Sequence, residues 1–362
     1  NYQGTNLQVG TLRTSTVPTT LQKQGVFSVP IFDPTTTRQT STGLVRDQFL
    51  NNTIPLSRID PVVQTLLSRY PAPNMVLPNG QEVYGRVANE TTDQQQFGLR
   101  VDHNLRTNQR TFGRYEFLRD DSRPSTPLPD GSGLITTGFI GNTLTRADSF
   151  AAEHSWTLSS NKVNQLRFGY TRRGFHRDAM RTGQPASQAS GIPNIPTSAF
   201  SDTFPTFDVV GFQQLGPMAN GNADFTTSVT QFVDNLSWLR GRHSMKMGVD
   251  LRIEHLDVLQ PPSPTGSFQF NNILTSNLTA TGGTVAGTGN AFASFLLGQV
   301  QTFSIDVQPT ELKPRAKVAE FFFQDDFKAT SRLALNLGVR YTLNFPSTVV
   351  EDQGAVFNLE TQ

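Results

Sequence analysis

The sequence predicts an all-β fold, namely part of an antiparallel β-barrel whose strands cross a membrane. Three observations predict it. Apolar and polar residues alternate over segments of about ten residues, which gives each segment one apolar and one polar face. The segments come in pairs joined by tight turns. Long polar connections separate one pair from the next, and the 29 Gly and 22 Pro of this 362-residue chain favour turns and irregular segments over a helical core.

Four strand pairs carry the alternation. In the clearest strand, which begins at Ser244, the apolar face is formed by Met245, Met247, Val249, Leu251 and Ile253. The pairs are 97–103 with 109–118, 150–158 with 163–171, 231–239 with 244–254, and 319–327 with 333–343. Two weaker strands at 266–271 and 299–308 bring the total to about ten.

The connections divide into two kinds. Short turns lie within the pairs, whereas 119–149, 172–230 and 257–265 are long and polar. Outer-membrane barrels have short periplasmic turns and long extracellular loops, and the order of strands puts the short turns on one side. The exception is 273–298, which is long where a short turn is expected; within it, 291–297 is expected to form one or two helical turns.

These elements predict three regions. Residues 1–96 are expected to form an extracellular loop region with a short helix near 60–69, which begins with Pro61 in its first turn. Residues 97–345 are expected to form the partial barrel, and residues 346–362 the start of a further loop.

Alternation alone also fits a soluble β-sandwich, which has the same two kinds of face. Sandwich strands average about five or six residues, and a loop as long as 172–230 is rare in a compact soluble domain. Aromatic residues also gather near strand ends, as a membrane-interface belt requires: Trp156, Trp238, Phe327 and Tyr341. These features favour the membrane barrel.

Composition and motifs exclude several functions. A net charge of +1 gives no reason to expect nucleic acid as a partner, and with no Cys the chain has no thiolate metal site. The five His residues lack metal-ligand spacing, and neither a phosphate-binding loop nor a nucleophile elbow is present. We therefore predict no catalytic residue, no cofactor and no metal site, and expect that the protein is not an enzyme.

The remaining candidates for a functional site are polar residues that alternate with the apolar rows. In a barrel with an apolar exterior they face the lumen, where charged groups stay hydrated. They could line a ligand path or form a generic polar wall. The predicted lumen-facing residues are Lys246, Asp250, Arg252, Glu254, Glu320, Gln324 and Arg340.

Several segments resemble the Oar-like family of TonB-dependent receptors. The strongest is 321–327, Phe-Phe-Phe-Gln-Asp-Asp-Phe, followed by 332–341, Arg-Leu-Ala-Leu-Asn-Leu-Gly-Val-Arg-Tyr. The family commonly has Trp at the position of Phe327. The segments 290–298, 241–250 and 52–61, the last leading to 70–74, also resemble family motifs and occur in the expected order.

The resemblance implies a barrel of about 22 strands, filled by an N-terminal plug and coupled to the TonB complex. Neither plug nor coupling box is recognisable in this sequence, and it does not end in the terminal aromatic strand of such barrels. We therefore expect an internal piece of a receptor lacking both ends. On its own it would expose two sheet edges and an apolar face, and would aggregate or need the rest of its chain.

Three functions follow as hypotheses. The first is uptake, in which external loops bind an unknown small or oligomeric nutrient that passes through the lumen with energy supplied through TonB. The second is cell-surface adhesion or a structural role in the outer membrane, with membrane lipid as the partner in either case. The third is a soluble secreted β protein with carbohydrate-binding loops.

Overall fold

The computed structural model describes residues 1–133, 141–179, 187–195, 202–306, 308 and 310–353. Nine long strands form one antiparallel sheet, here called the wall, in which each strand pairs with the next along the chain. Among the described residues no strand joins the first of these to the last, so the sheet is open. The predicted partial antiparallel barrel is confirmed. The strands are Tyr2–Ser15 (β1), Glu82–Arg106 (β2), Gln109–Arg123 (β3), Asn142–Ser159 (β4), Lys162–Asp178 (β5), Ala223–Arg240 (β6), His243–Leu259 (β7), Pro314–Lys328 (β8) and Ala334–Asn344 (β9).

The connections are strictly asymmetric. The short ones are 107–108, 160–161, 241–242 and 329–333, and the long ones are 16–81, 124–141, 179–222 and 260–313. Because neighbouring strands run antiparallel, all short turns lie at one end of the wall and all long connections at the other. In the turn after β6, Gly241 has a φ of 60°, a left-handed conformation that glycine adopts without steric cost.

The expectation that 1–96 is only a loop region is wrong, because this region contains β1 and the first part of β2. The sequence of β1 does not show the alternation of apolar and polar residues that predicts a strand. Leu7 and Val9 lie on one face of the sheet, opposite Thr92 and Glu90, whereas Leu12 lies on the other. The apolar residues of β1 therefore do not form one period-two row. The predicted short helix is present as Pro61–Leu66 (α2), continued by the 3-10 turn Leu67–Arg69.

The two weaker predicted strands do not belong to the wall. Ser267–Phe270 and Thr302–Ser304 form a separate three-stranded sheet with Thr206–Val209. Each has only three or four residues, too few for the roughly 9–11 that a membrane crossing needs. The whole of 260–313 is therefore one long connection, and the apparent exception to the alternation of turns and loops disappears.

The two faces of the wall differ in chemistry. One, the apolar face, carries an aromatic ladder across β4, β5 and β6, in which the ring of Phe168 lies 6.1 Å from Phe150 and 5.4 Å from Phe232. The register extends this face through Met247 of β7 and Phe323 of β8. The opposite side is the polar face, formed by the intervening residues.

Apolar side chains of the wall remain exposed and are not packed against a second sheet. Val339 is 66% exposed and Leu251 46%. The total accessible surface is 21020 Å², whereas a compact soluble protein of this mass has roughly 14,000 Å². An exposed face as apolar as this one is stable when it contacts lipid chains. No helix among the described residues has the length and apolar character to cross a membrane.

The described residues of the four long connections form a second region, here called the cap. Its helices are Thr20–Lys23 (α1), α2 and Ala291–Leu296 (α3), and its other short strands are Arg38–Thr40, Gly43–Val45 and Met75–Val76, the last of which pairs with β2. Beyond the wall, Thr348–Val349 pairs with β8. The remaining 3-10 turns are Pro34–Thr36, Leu50–Asn52, Leu56–Arg58, Gln188–Ser190, Ile273–Thr275 and Val350–Asp352.

The hydrophobic core of the described chain lies in the cap. Phe292 and Phe295 of α3 are fully buried, and Tyr70 packs edge-on against both rings at 6.0 and 6.4 Å. Helix α2 begins under an Asp60 cap, whose carboxylate accepts the backbone N–H groups of Val62 and Val63. The described residues of the long connections thus share one packed hydrophobic core.

Candidate functional site

The cap is fixed to the polar face of the wall by three arginines. Arg13 Nε donates to Ser125 Oγ at 2.9 Å, and an Arg86 N–H donates to the Leu128 carbonyl at 2.7 Å. Arg177 donates from Nε to the Gly221 carbonyl at 2.8 Å and from a terminal nitrogen to the Asn220 carbonyl at 2.6 Å. The cap therefore covers the polar face at the end where the long connections lie.

All seven residues predicted to face a lumen lie on this polar face. In the register, Asp250 of β7 stands opposite Glu320 of β8, and Lys246 opposite Gln324. Arg252 lies between two carboxylates, 3.8 Å from Asp250 and 3.7 Å from Glu254. Arg340 of β9 lies 3.8 Å from Glu320. That this face borders a lumen stays a prediction.

The polar face continues across β2 to β5 with residues that the sequence analysis missed. Arg100 and Arg110 both contact Asp102, at 2.8 and 3.1 Å, and Arg167 contacts Glu153 at 2.6 Å. Arg114 pairs with Glu116 in the same row. The polar face therefore spans most of the sheet.

A spacing signal could have revealed them. Opposite charges recur two residues apart, as in Arg100 with Asp102, Arg114 with Glu116, and Asp250 with Arg252. Residues two apart on a strand share a face, so such pairs can join along one strand. Within a period-two segment, this spacing marks charged residues that share one face of a strand.

Aromatic side chains interrupt the polar face, and Phe322 is one of them. Phe322 stands opposite Gly248 of β7 and opposite Arg340 of β9, whose guanidinium lies 5.9 Å from its ring. A Cβ added at Gly248 would come within 2.6 Å of the Phe322 ring and 2.4 Å of Asn235 Oδ1. The ring therefore covers the space that the missing side chain leaves.

The polar face can bind polar, hydrated molecules. Its ion pairs are partly exposed, and such pairs contribute only about 0–1 kcal/mol to stability, so their main effect is to balance charge along the surface. Uncharged donors lie among them, such as Gln231, which donates to Asp250 at 2.8 Å.

Two depressions open beside these residues. One of about 780 Å³ lies near the edge of the sheet and is lined in part by Gln3, Gln96, Arg100, Arg114 and Glu116. Another of about 230 Å³ lies near the short turns and includes Lys246, Gln324, Ser237 and Trp238. In the parts of the chain that the structure describes, no group of three or more His, Asp or Glu residues is arranged to hold a metal ion.

Several ionisable groups of the cap are buried or partly buried and are hydrogen-bonded to other cap residues. Burial alone would raise the pKa of Asp33, but hydrogen bonds from Arg58 and Thr35 outweigh it and hold this pKa below its usual value. Two Arg58 nitrogens contact the two carboxylate oxygens at 2.8 and 3.1 Å, a bidentate pair. Burial also lowers the pKa of Lys23, which donates to the Tyr70 carbonyl, and raises the pKa of the Tyr70 hydroxyl. These groups hold the packed loops in one arrangement.

An open antiparallel wall with an exposed apolar face, a charge-paired polar face and asymmetric connections defines a membrane β-barrel protein. The profile of the outer membrane beta barrel domain family matches residues 1–362, the whole chain. The chain belongs to this family, and its location is the outer membrane. No curated protein matches it.

Three solved structures resemble the chain. The outer membrane transporter YddB from Escherichia coli is 9% identical over 77% of this chain and 31% of its own, with a TM-score of 0.38. FpvA of P. aeruginosa, in complex with a heterologous pyoverdine and Fe, is 12% identical over 74% and 34%, with a TM-score of 0.40. BauA, the ferric preacinetobactin receptor from Acinetobacter baumannii, is 10% identical over 73% and 38%, with a TM-score of 0.36.

The chain spans about a third of the length of each of these proteins. At these identities the assignment to an outer-membrane barrel rests on the family profile. The hypothesis of a soluble secreted β protein is wrong, because the chain belongs to an outer-membrane barrel family and its exposed apolar face belongs in lipid.

Proposed function

We propose that this chain forms part of the wall of an Oar-like TonB-dependent receptor, which takes up a nutrient across the outer membrane. The observation that carries the proposal is the continuous charge-paired polar face, whose end is covered by a packed cap. Such a face behind a lipid-facing side supplies a hydrated path, and the cap supplies loops that can select a ligand. The resemblance of 321–327 and 332–341 to Oar-like motifs supports the same function.

The proposal assigns a side of the membrane to each end of the wall. The long connections, and the cap with them, lie outside the cell, and the short turns lie in the periplasm. The seven predicted residues, from Lys246 to Arg340, then face the lumen together with Arg100, Arg114 and Arg167. Their paired charges favour a ligand bound through hydrogen bonds.

Energy for uptake comes, in this proposal, from the TonB complex. A plug and coupling box like those of Oar-like receptors would make that contact. The partners are therefore the lipid of the outer membrane, the TonB complex and one nutrient of small or oligomeric size.

The test is growth on defined nutrients. A deletion strain and a strain complemented with the full gene are grown with single sources of carbon, nitrogen or iron. Uptake predicts a growth defect of the deletion strain on one compound. The intact gene should restore growth on that compound, and a gene with a disrupted coupling box should not. Normal growth on every compound, with loss of surface attachment, would instead support adhesion or a structural role.

A further inference from the structure

Arginines gather on the apolar face where its apolar band ends. Tyr115, Phe150 and Tyr170 stand side by side on β3, β4 and β5. The next pair on this face toward the long connections is Asp148 opposite Arg172. The pair after it, closer still to the long connections, is Arg119 opposite Arg146. The boundary between apolar and charged residues thus runs across three neighbouring strands.

Facing arginines in a sheet repel each other unless another group compensates them. On the polar face, Arg13 and Arg86 also face each other, and there the cap supplies acceptors to both. The Arg119 and Arg146 side chains are 46% and 65% exposed.

Nearby carboxylates compensate these charges only in part. Arg146 lies 3.2 Å from Asp148, while Arg119 and Arg123 share Asp121 at 3.6 and 3.4 Å. Asp93 stands opposite Asp121, so the cluster contains the three carboxylates of Asp93, Asp121 and Asp148. Its guanidinium groups number four, those of Arg119, Arg123, Arg146 and Arg172. Each guanidinium has five donors, so the ion pairs leave donors available for a further acceptor.

The neighbouring residues indicate the chemistry of that acceptor. Below the arginines, the ladder of Phe150, Phe168 and Phe232 offers an apolar surface to acyl chains. Tyrosines at this level suit the membrane interface. Tyr115 donates to Asp148 at 2.6 Å, and the Arg146 guanidinium lies 5.3 Å from the Phe117 ring, so the cluster is held in place before a ligand arrives. A phosphorylated lipid, which carries acyl chains beneath an anionic head group, matches both surfaces.

We propose that Arg119, Arg146 and Arg172 bind phosphate groups of a lipid in the leaflet beside the long connections. In the outer leaflet of an outer membrane this lipid is a phosphorylated glucosamine lipid of the lipid A type. The planar fork of arginine matches phosphate oxygens two at a time. The proposal rests on the orientation given under the proposed function and not on uptake, so a receptor that transports nothing would still bind the lipid.

The test is binding of bisphosphorylated lipid A to the full-length receptor in detergent micelles, measured by native mass spectrometry. We expect roughly fivefold weaker binding for each arginine lost, hence a loss on the order of 100-fold for R119Q/R146Q/R172Q. The matched control is R100Q/R114Q/R167Q, which removes three arginines of the polar face from the same region of the sheet. This control is expected to leave lipid binding unchanged.

Three results would overturn the proposal: equal loss in both triple variants, equal binding of dephosphorylated lipid A, or displacement of the lipid by millimolar inorganic phosphate. If R119Q/R146Q/R172Q fails to fold, Arg172→Gln alone decides the matter. Arg172 is exposed and pairs with no carboxylate within 4.0 Å among the described residues. Its loss should weaken binding about fivefold, whereas Arg167→Gln on the same strand should not. Equal binding by these two single variants would contradict the proposal.

Discussion

The wall and the cap use apolar residues in opposite ways. In the wall, Val339 and Leu251 are 66% and 46% exposed, whereas in the cap Phe292 and Phe295 are fully buried. The wall satisfies its backbone through strand pairing and leaves its apolar side chains for lipid. The cap instead buries its own hydrophobic core. The same residue types therefore stabilise the two regions through different surroundings.

The largest expected effect comes from emptying the cap core. Phe295→Ala removes a ring that contacts Phe270, Phe292 and Tyr70, and should destabilise the cap by about 3–5 kcal/mol. Phe323→Ala in the wall is the control; lipid chains refill its space, so the cavity cost is absent. Protease resistance of cap and wall in rising urea measures both. Equal losses would show that the wall, like the cap, packs as a protein core.

A charge placed on the apolar face should come next. Met247→Arg puts a guanidinium between Leu236 and Phe323 on the apolar face, and should cost up to about 2–4 kcal/mol of membrane-inserted stability. Gln324→Arg, beside Phe323 but on the polar face, should change stability by less than about 0.5 kcal/mol. Unfolding in lipid vesicles measures the difference. If Gln324→Arg proved the more costly change, the two faces would be assigned the wrong way round.

A smaller effect is expected where strands approach closely. Gly248→Ala sets a methyl group 2.6 Å from the Asp234 carbonyl oxygen and the Phe322 ring, and should cost about 1–3 kcal/mol. Gly113→Ala, with no atom within 4 Å of the added carbon, is the matched control and should be neutral. Adding Phe322→Ala removes only the ring contact, so it should restore part of the loss in the same unfolding assay.

The smallest effect is electrostatic and confined to the cap. Because the pKa of Asp33 is lower in the folded cap than its ordinary value of 3.8, the Asp33–Arg58 pair stabilises the cap fully above about pH 4. This contribution disappears as the pH falls through the lowered pKa. Asp33→Asn should cost about 1–2 kcal/mol at pH 7 and flatten the acid limb of cap unfolding. An unchanged acid limb would show that Asp33 does not contribute to the pH dependence of cap stability.

The site was predictable where a period-two row was long. The alternation from Ser244 to Glu254 placed Lys246, Asp250, Arg252 and Glu254 together, and the structure puts them on one face. Arg100, Arg114 and Arg167 were missed because the predicted strands in β2 to β5 were considered for their apolar residues only. Whether any of these residues meets a ligand stays a prediction.

The sequence by itself determined eight of the nine wall strands, β2 to β9, together with their tight turns and the separation of apolar from polar rows. Period two follows from local backbone geometry, so neighbouring residues suffice to show it. The tertiary structure alone decided the cap, the place of β1, and the facing arginines Arg119 and Arg146. Tyr70, for example, meets Phe292 and donates to the Gln213 carbonyl at 2.8 Å. Contacts between residues so far apart in the chain leave no local period to be recognised.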